Sequence, residues 1–216
     1  WAHKHQIPKE INSIADLKEF PVLTKNDIQE HKDLIFKNLY NYYIVTTGGS
    51  SGEPTAFPTC SSEKNVEYAN TYLGRGWWGI KPLSETTLFW GHSHLFGTGL
   101  KGRLNELKRK LSDWLINIER LDAYNLNAKT IENYYNRLYR GKPEAIIGYT
   151  SLISKLAKYI NEEKYQYQNS KLKAVIVTSE TVYERDIENI SQAFKTPIVL
   201  EYGMAETSVI AYSKNS

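Results

Sequence analysis

A mostly parallel α/β sheet with helices on both faces is the fold class this sequence predicts. Strand and helix patterns alternate from Thr86 onward at the spacing of βαβ units. The strands read as near-continuous apolar runs, Ala174 to Val177 above all, as strands buried on both faces do. The chain has 216 residues, 41% hydrophobic against 24% charged, enough to build a core and too apolar for a disordered chain.

The segment 1–43 reads as a mixed helical lead-in, with helical patterns over Ile14–Phe20 and Lys25–Lys37 separated by Pro21. The apolar run Tyr42–Val45 enters a Gly/Ser-rich turn, Thr46–Pro54. A helix follows from Ser62 to about Leu73, with Val66, Ala69, Tyr72 and Leu73 on one face. The α/β part, 44–216, then continues with a strand at Thr86–Trp90 and a helix at Leu104–Leu111. The row Leu104, Leu107 and Leu111 is expected to face inward, its cations outward. Trp114–Ile118 reads as a strand, Ala128–Tyr139 as a helix capped by Asn127. Ala145–Ile147 is a short buried strand. Ser151–Ile160 is a helix with Leu152, Leu156 and Ile160 in one row. Leu172–Val177 is a strand. Thr181–Phe194 is a helix burying Ile187, Ile190 and Phe194, and Pro197–Leu200 is the last clear strand.

Charge and cysteine content exclude several function classes. Lys and Arg number 27 against 24 Asp and Glu, a net of +3, so nucleic acid is not an expected partner. No run of about 18 apolar residues exists, and no membrane partner is expected. Cys60 is alone and makes no internal disulfide, which fits a cytoplasmic location. The first residue is not Met, and the chain is expected to be part of a longer protein. Sixteen tyrosines give a partly aromatic surface that would suit a homodimer.

In parallel sheets, ligands bind outside the carboxyl ends of the strands. Three loops are expected there: Thr46–Pro54, Thr178–Glu180 and Tyr202–Glu206. In the first, glycines permit close backbone approach, while hydroxyls and N–H groups can wrap an anion. It lacks the Gly-Lys-Ser/Thr of a P-loop and the G-x-G-x-x-G of a dinucleotide fold, and alone it reads equally well as an ordinary turn. In Glu201-Tyr202-Gly203-Met204-Ala205-Glu206, a tyrosine at a strand end can stack on a planar base and Glu206 can offer a hard oxygen to Mg²⁺. Alone, this segment reads better as a strand end with a solvated carboxylate.

Taken together and in order, these segments resemble the adenylate-forming enzymes. Thr47–Thr55 resembles their phosphate loop and Tyr202–Glu206 their Tyr-Gly-x-Thr-Glu motif. Ala174–Glu180 is similar to the strand and Gly-x-Glu turn beside the adenine. Gly148-Tyr149-Thr150-Ser151 is similar to the Gly-Tyr-Pro-Ser segment of the phenylacetate–coenzyme A ligase branch, which includes relatives encoded with capsular polysaccharide genes. The resemblance covers about Ile14 to the end. It implies the larger N-terminal domain of an enzyme that activates a carboxylic acid with ATP and Mg²⁺, then passes it to coenzyme A or another acceptor. It implies that Thr47, Gly49, Ser50, Ser51 and Gly52 hold the phosphates. Tyr202 and Gly203 would lie against the adenine, with Ser179 and Glu180 at its edge. Glu206 would bind the metal as the catalytic carboxylate, and Trp90, His92 and Tyr149 would line the acyl pocket.

The sequence departs from the family at Glu53, where the phenylacetate ligases often carry Lys, and at Ala205, where the motif usually has Thr. The family's ribose-binding Asp and its small C-terminal domain have no counterpart in these residues. Two rivals therefore stand beside the ligase: a non-catalytic nucleotide-binding or interaction module, and an unrelated phosphate-binding transferase. His92 and His94 also suit a structural metal, although no acidic or Cys residue accompanies them locally. The basic cluster Lys101, Arg103, Lys108, Arg109 and Lys110 reads as a solvated face, or as a contact for the phosphates of a bulky acceptor.

Overall fold

The structure is a computed structural model that describes residues 10–35, 41–47, 55–91, 99–124 and 126–214. It divides into one unit ending at Val66 and a second beginning at Glu67.

The first unit opens with a 3₁₀ helix, Ile14–Glu19, and two short helices, α1 (Lys25–Glu30) and α2 (Lys32–Ile35). Thr24 caps α1: its hydroxyl accepts from the Asp27 N–H at 3.2 Å, and the Asp27 carboxylate accepts from the Thr24 N–H at 2.8 Å. The single helix expected over Lys25–Lys37 is thus interrupted at His31, and its last two residues lie outside the described ones.

Strand β1 (Tyr42–Thr46) pairs antiparallel with β2 (Ala56–Cys60), a strand the sequence reading did not anticipate. The register sets Tyr42 opposite Cys60 and Thr46 opposite Ala56. This corrects the placement of the Gly/Ser turn: it joins the strands of a separate two-stranded sheet and does not leave the carboxyl end of the parallel one. Pro58 explains why β2 is hard to read, since proline is tolerated only in strands with a free edge.

Helix α3 (Ser61–Gly76) runs across the division between units. Its expected face is largely open: Val66, Ala69 and Leu73 are exposed and Tyr72 is partly buried.

The second unit holds β3 (Thr86–Phe89), α4 (Gly99–Leu115), β4 (Ile118–Leu121), α5 (Ala128–Gly141), β5 (Ala145–Tyr149), α6 (Thr150–Glu162), β6 (Ala174–Thr178), α7 (Glu184–Phe194), β7 (Ile198–Met204) and β8 (Ser208–Tyr212). The strand order is β4-β3-β5-β6-β7-β8, parallel throughout except for the antiparallel β7–β8 pair. The predicted α/β class with a mostly parallel sheet is therefore the one found.

Period-two alternation divides the core. Phe89, Ile146, Val175 and Val177 pack with Leu138, Leu152, Leu156, Ile160, Ile190 and Phe194 from α5, α6 and α7. The alternate residues Ala145, Ile147, Ala174, Ile176 and Val199 pack with Ile80, Trp78, Leu88 and Tyr212. The expected row Leu152, Leu156 and Ile160 is buried. Asn127 caps α5 as expected, accepting from the Thr130 N–H at 2.9 Å. In α7 Ile190 and Phe194 are buried, but Ile187 is exposed.

Two further expectations are corrected. Trp114–Ile118 is not a strand: the helical spacing of Leu107, Leu111 and Trp114 carries α4 to Leu115, Asn117 turns at φ 56°, and the strand begins at Ile118. The row Leu104, Leu107 and Leu111 does not face inward but is exposed.

Gly148 marks the tightest point between β3 and β5. A Cβ there would sit 2.6 Å from the Phe89 Cβ and 2.7 Å from the Phe89 carbonyl oxygen, and backbone cannot give way as a side chain does. Gly148→Ala is expected to lower stability by about 1–3 kcal/mol, the usual range for overpacking. Chemical denaturation of the two proteins measures the difference.

Candidate functional site

The sheet brings one group of side chains to its carboxyl edge. Trp90 follows the end of β3, Tyr149 ends β5 and Ser179 follows β6, while the loop after β4 carries Tyr124. The Trp90 and Tyr149 rings stack, with centroids 4.9 Å apart and planes 21° from parallel. Tyr124 lies over Gly91, where a Cβ would meet its ring at 2.2 Å. Tyr124 also hydrogen-bonds Tyr149. Burial, then the Tyr124 hydroxyl and the Glu180 carboxylate, push the Tyr149 phenol up to about 12. Tyr149 is therefore a neutral hydrogen-bonding group at any physiological pH. Two of the three expected acyl-pocket residues, Trp90 and Tyr149, thus lie in one aromatic cluster; His92 lies outside the described residues.

Next along the edge, Glu180 is tied to α6. Its carboxylate accepts from the Ser151 N–H at 2.7 Å and from the Ser151 hydroxyl at 3.0 Å. An acidic group there satisfies an N–H that the first turn of the helix leaves unpaired and complements the helix dipole. The loop Ser179–Glu180 is held in place by this clasp, and Ser179 sits in the left-handed region at φ 66°. Both residues are exposed.

The last expected segment is a hairpin rather than a turn. Strand β7 continues through Tyr202, Gly203 and Met204, and the turn proper is Ala205–Thr207. The pairing slips between Tyr202 and Gly203. A Cβ on Gly203 would lie 2.7 Å from the Ser208 carbonyl oxygen, so only glycine lets the strands approach here. Glu201, just before, is anchored by Arg75 at 3.1 Å. Tyr202 is 62% exposed, a ring free to be covered, and Glu206 is exposed on the turn.

In the first unit, Thr47 closes the base of the Gly/Ser segment. Its N–H donates to the Thr55 carbonyl and its hydroxyl accepts from the Thr55 N–H, both at 3.0 Å. Thr55 is buried. Gly49, Ser50, Ser51 and Gly52, and the departure Glu53, lie outside the described residues, as does His94.

The described residues contain no group of three or more His, Cys, Asp or Glu able to hold a metal ion. Mg²⁺ in phosphate sites takes only one or two protein carboxylates, so a single exposed carboxylate such as Glu206 is chemically compatible with that ion. Sequence reasoning missed Tyr124, and it named Ser151 only as part of a motif, without its contact to Glu180. The misplaced strand at Trp114–Ile118 hid Tyr124; with β4 at Ile118–Leu121, Tyr124 falls in the loop after a strand end, where ligand-binding residues are sought.

No protein-family model matches the chain. Protein CapK of Staphylococcus aureus is 24% identical over 210 residues, which span 90% of this chain and 42% of CapK. Among solved structures, 2-hydroxyisobutyryl-CoA ligase in the postadenylation state with 2-HIB-AMP superposes with a TM-score of 0.62 at 21% identity, over 91% of this chain and 42% of the ligase. Its open conformation, in complex with 2-HIB-AMP and CoA, gives 0.60 at 20% identity, over 91% and 46%. VinN gives 0.52 at 15% identity, over 78% and 38%. The chain therefore shares its fold with the part of 2-hydroxyisobutyryl-CoA ligase it superposes on, and it spans less than half the length of these relatives.

Burial holds Tyr149 protonated to about 12 in the folded chain against 10.0 for an ordinary tyrosine. Its contribution to stability is complete below pH 10 and disappears as pH rises toward 12, because the unfolded chain ionises first. Tyr149→Phe is expected to flatten the loss of stability between those values, and urea melts across that window measure it.

Proposed function

We propose that this chain carries the nucleotide- and acyl-binding part of a ligase that activates a carboxylic acid with ATP. A carboxylate oxygen of the acid bonds to the α-phosphorus as the bond to pyrophosphate breaks, giving an acyl-adenylate. A thiol, coenzyme A in the simplest case, then attacks the acyl carbon and AMP leaves. The observation that supports this most is the coincidence of fold and motif order: on a ligase-like domain, the segments that resemble the family's base-binding motifs emerge at the carboxyl edge of the sheet.

Each residue has a part in this reading. Tyr202 offers its open ring to the adenine, with Gly203 permitting the bend beneath it. Ser179 and Glu180 border the base; because the carboxylate of Glu180 is engaged by Ser151, its work is to fix the loop. Thr47, with Gly49, Ser50, Ser51 and Gly52, would supply the N–H and hydroxyl donors for the phosphates. Bound Mg²⁺ would neutralise phosphate charge, and Glu206 would hold it. Trp90, Tyr124 and Tyr149 form a wall of the acyl pocket, aromatic with a neutral hydroxyl. That wall suits an acid with an apolar body and a hydrogen-bonding substituent.

The non-catalytic module remains the second reading, favoured by Ala205, which lacks the hydroxyl the motif places at the α-phosphate, and by Glu53. Calorimetric titration with ATP tests the binding. Tyr202→Ala is expected to weaken affinity roughly ten-fold, the scale of one lost stacking contact. Glu206→Gln should weaken binding with Mg²⁺ more than without it; equal losses would remove Glu206 from the metal role. Acid-dependent exchange of pyrophosphate into ATP by the whole protein then separates enzyme from module: exchange supports the ligase, and binding without exchange across a broad acid panel supports the module.

A further inference from the structure

Helix α4 is amphipathic the wrong way round for a globular domain. Leu104, Leu107, Leu111, Trp114 and Leu115 are 56–71% exposed. At 100° per residue they share one arc of about 100°. The opposite side of the helix is the docked one: Gly102 and Asp113 are buried, and Asp113 is gripped by both Nε and Nη2 of Arg120 at 2.9 and 3.0 Å. The polar face thus meets the protein, and the apolar face is left open.

The charges of α4 are ordered about that arc. Arg103 and Lys110 border it on one side and Lys108 on the other, and all three are exposed. Five cations (Lys101, Arg103, Lys108, Arg109 and Lys110) stand against Glu106 and Asp113, a net of +3 that equals the net charge of the entire chain. Both acids are already engaged, Glu106 by Lys110 at 2.7 Å and Asp113 by Arg120. An apolar stripe of Leu and Trp edged on both sides by long cationic side chains is the pattern of a helix lying in a membrane interface. There the stripe enters the acyl boundary and the Lys and Arg stems reach back to anionic headgroups.

We propose that α4 is an in-plane docking helix for an anionic lipid surface. The same ring of cations opposes a second copy, because two such faces would bring like charges together. The sequence expectation of no membrane partner rested on the lack of a spanning run. An in-plane helix needs none, and among the described residues no helix is long and apolar enough to cross a bilayer. The inference stands apart from the nucleotide site.

Co-sedimentation with vesicles tests it. The chain is expected to pellet with phosphatidylcholine vesicles that contain about one third phosphatidylglycerol, to pellet much less with phosphatidylcholine alone, and to be released by salt. Leu107→Ser combined with Leu111→Ser should cut partitioning roughly ten-fold or more, the scale of two exposed leucines that no longer bury, with the circular dichroism spectrum unchanged. Brominated lipid should quench a fluorescence component that Trp114→Phe removes. The proposal is overturned if anionic vesicles leave the chain in the supernatant, or if the double serine variant binds as well as the parent, which marks adhesion by charge alone. It is equally overturned if light scattering shows a dimer that the double variant dissolves, which makes the occupant a second copy. A longer polypeptide containing this chain that ignores the same vesicles also overturns it.

Discussion

Burial of β5 and β6 on both faces is the constraint on which the second unit depends. Ile146, Val175 and Val177 serve one core while Ala145, Ile147, Ala174 and Ile176 serve the other, so neither strand has a solvent face to spare. A slip of one residue would exchange the two sets and press isoleucine where only alanine fits. The register is thereby fixed, and with it the height at which each strand ends. Tyr149 and Thr178 stand opposite one another at the last rung. The candidate nucleotide- and acyl-site residues of this unit, Trp90, Tyr149, Ser179 and Tyr202, lie at that rung or just beyond its neighbours.

The elements that proved legible are those whose pattern reports burial directly. The row of α6, the buried pair Ile190 and Phe194 of α7, the run Ala174–Val177 and the cap Asn127 could be read because each needs only its neighbours in sequence to make sense. Those that were missed depend on a partner far along the chain or on an unusual surface. Strands β2 and β8 are short antiparallel partners, and β2 carries a proline. Helix α4 defeated the rule that apolar rows face inward, because its polar side is the docked one. Its terminal Trp114 and Leu115 then imitated a strand.

The candidate site was legible in part. Trp90 and Tyr149 were assigned to one pocket from resemblance, and their rings do stack. Glu180 was assigned to the base, yet its carboxylate clasps the first turn of α6, a tertiary contact that no local pattern announces. The Gly/Ser segment was expected at the end of a parallel strand; the strand before it, β1, instead pairs with β2 in a separate two-stranded sheet. A hairpin delivers a phosphate loop as well as a strand end does, since what an anion needs is a closely spaced set of N–H and hydroxyl donors.

The central claim is that segments leaving the carboxyl edge of the second unit's sheet hold one nucleotide. Amide hydrogen exchange with and without ATP tests it most directly. The account expects slowed exchange in residues 178–180 and in residues 201–207 within one titration, with matching midpoints. Protection confined to one segment, or midpoints that differ widely, would contradict it.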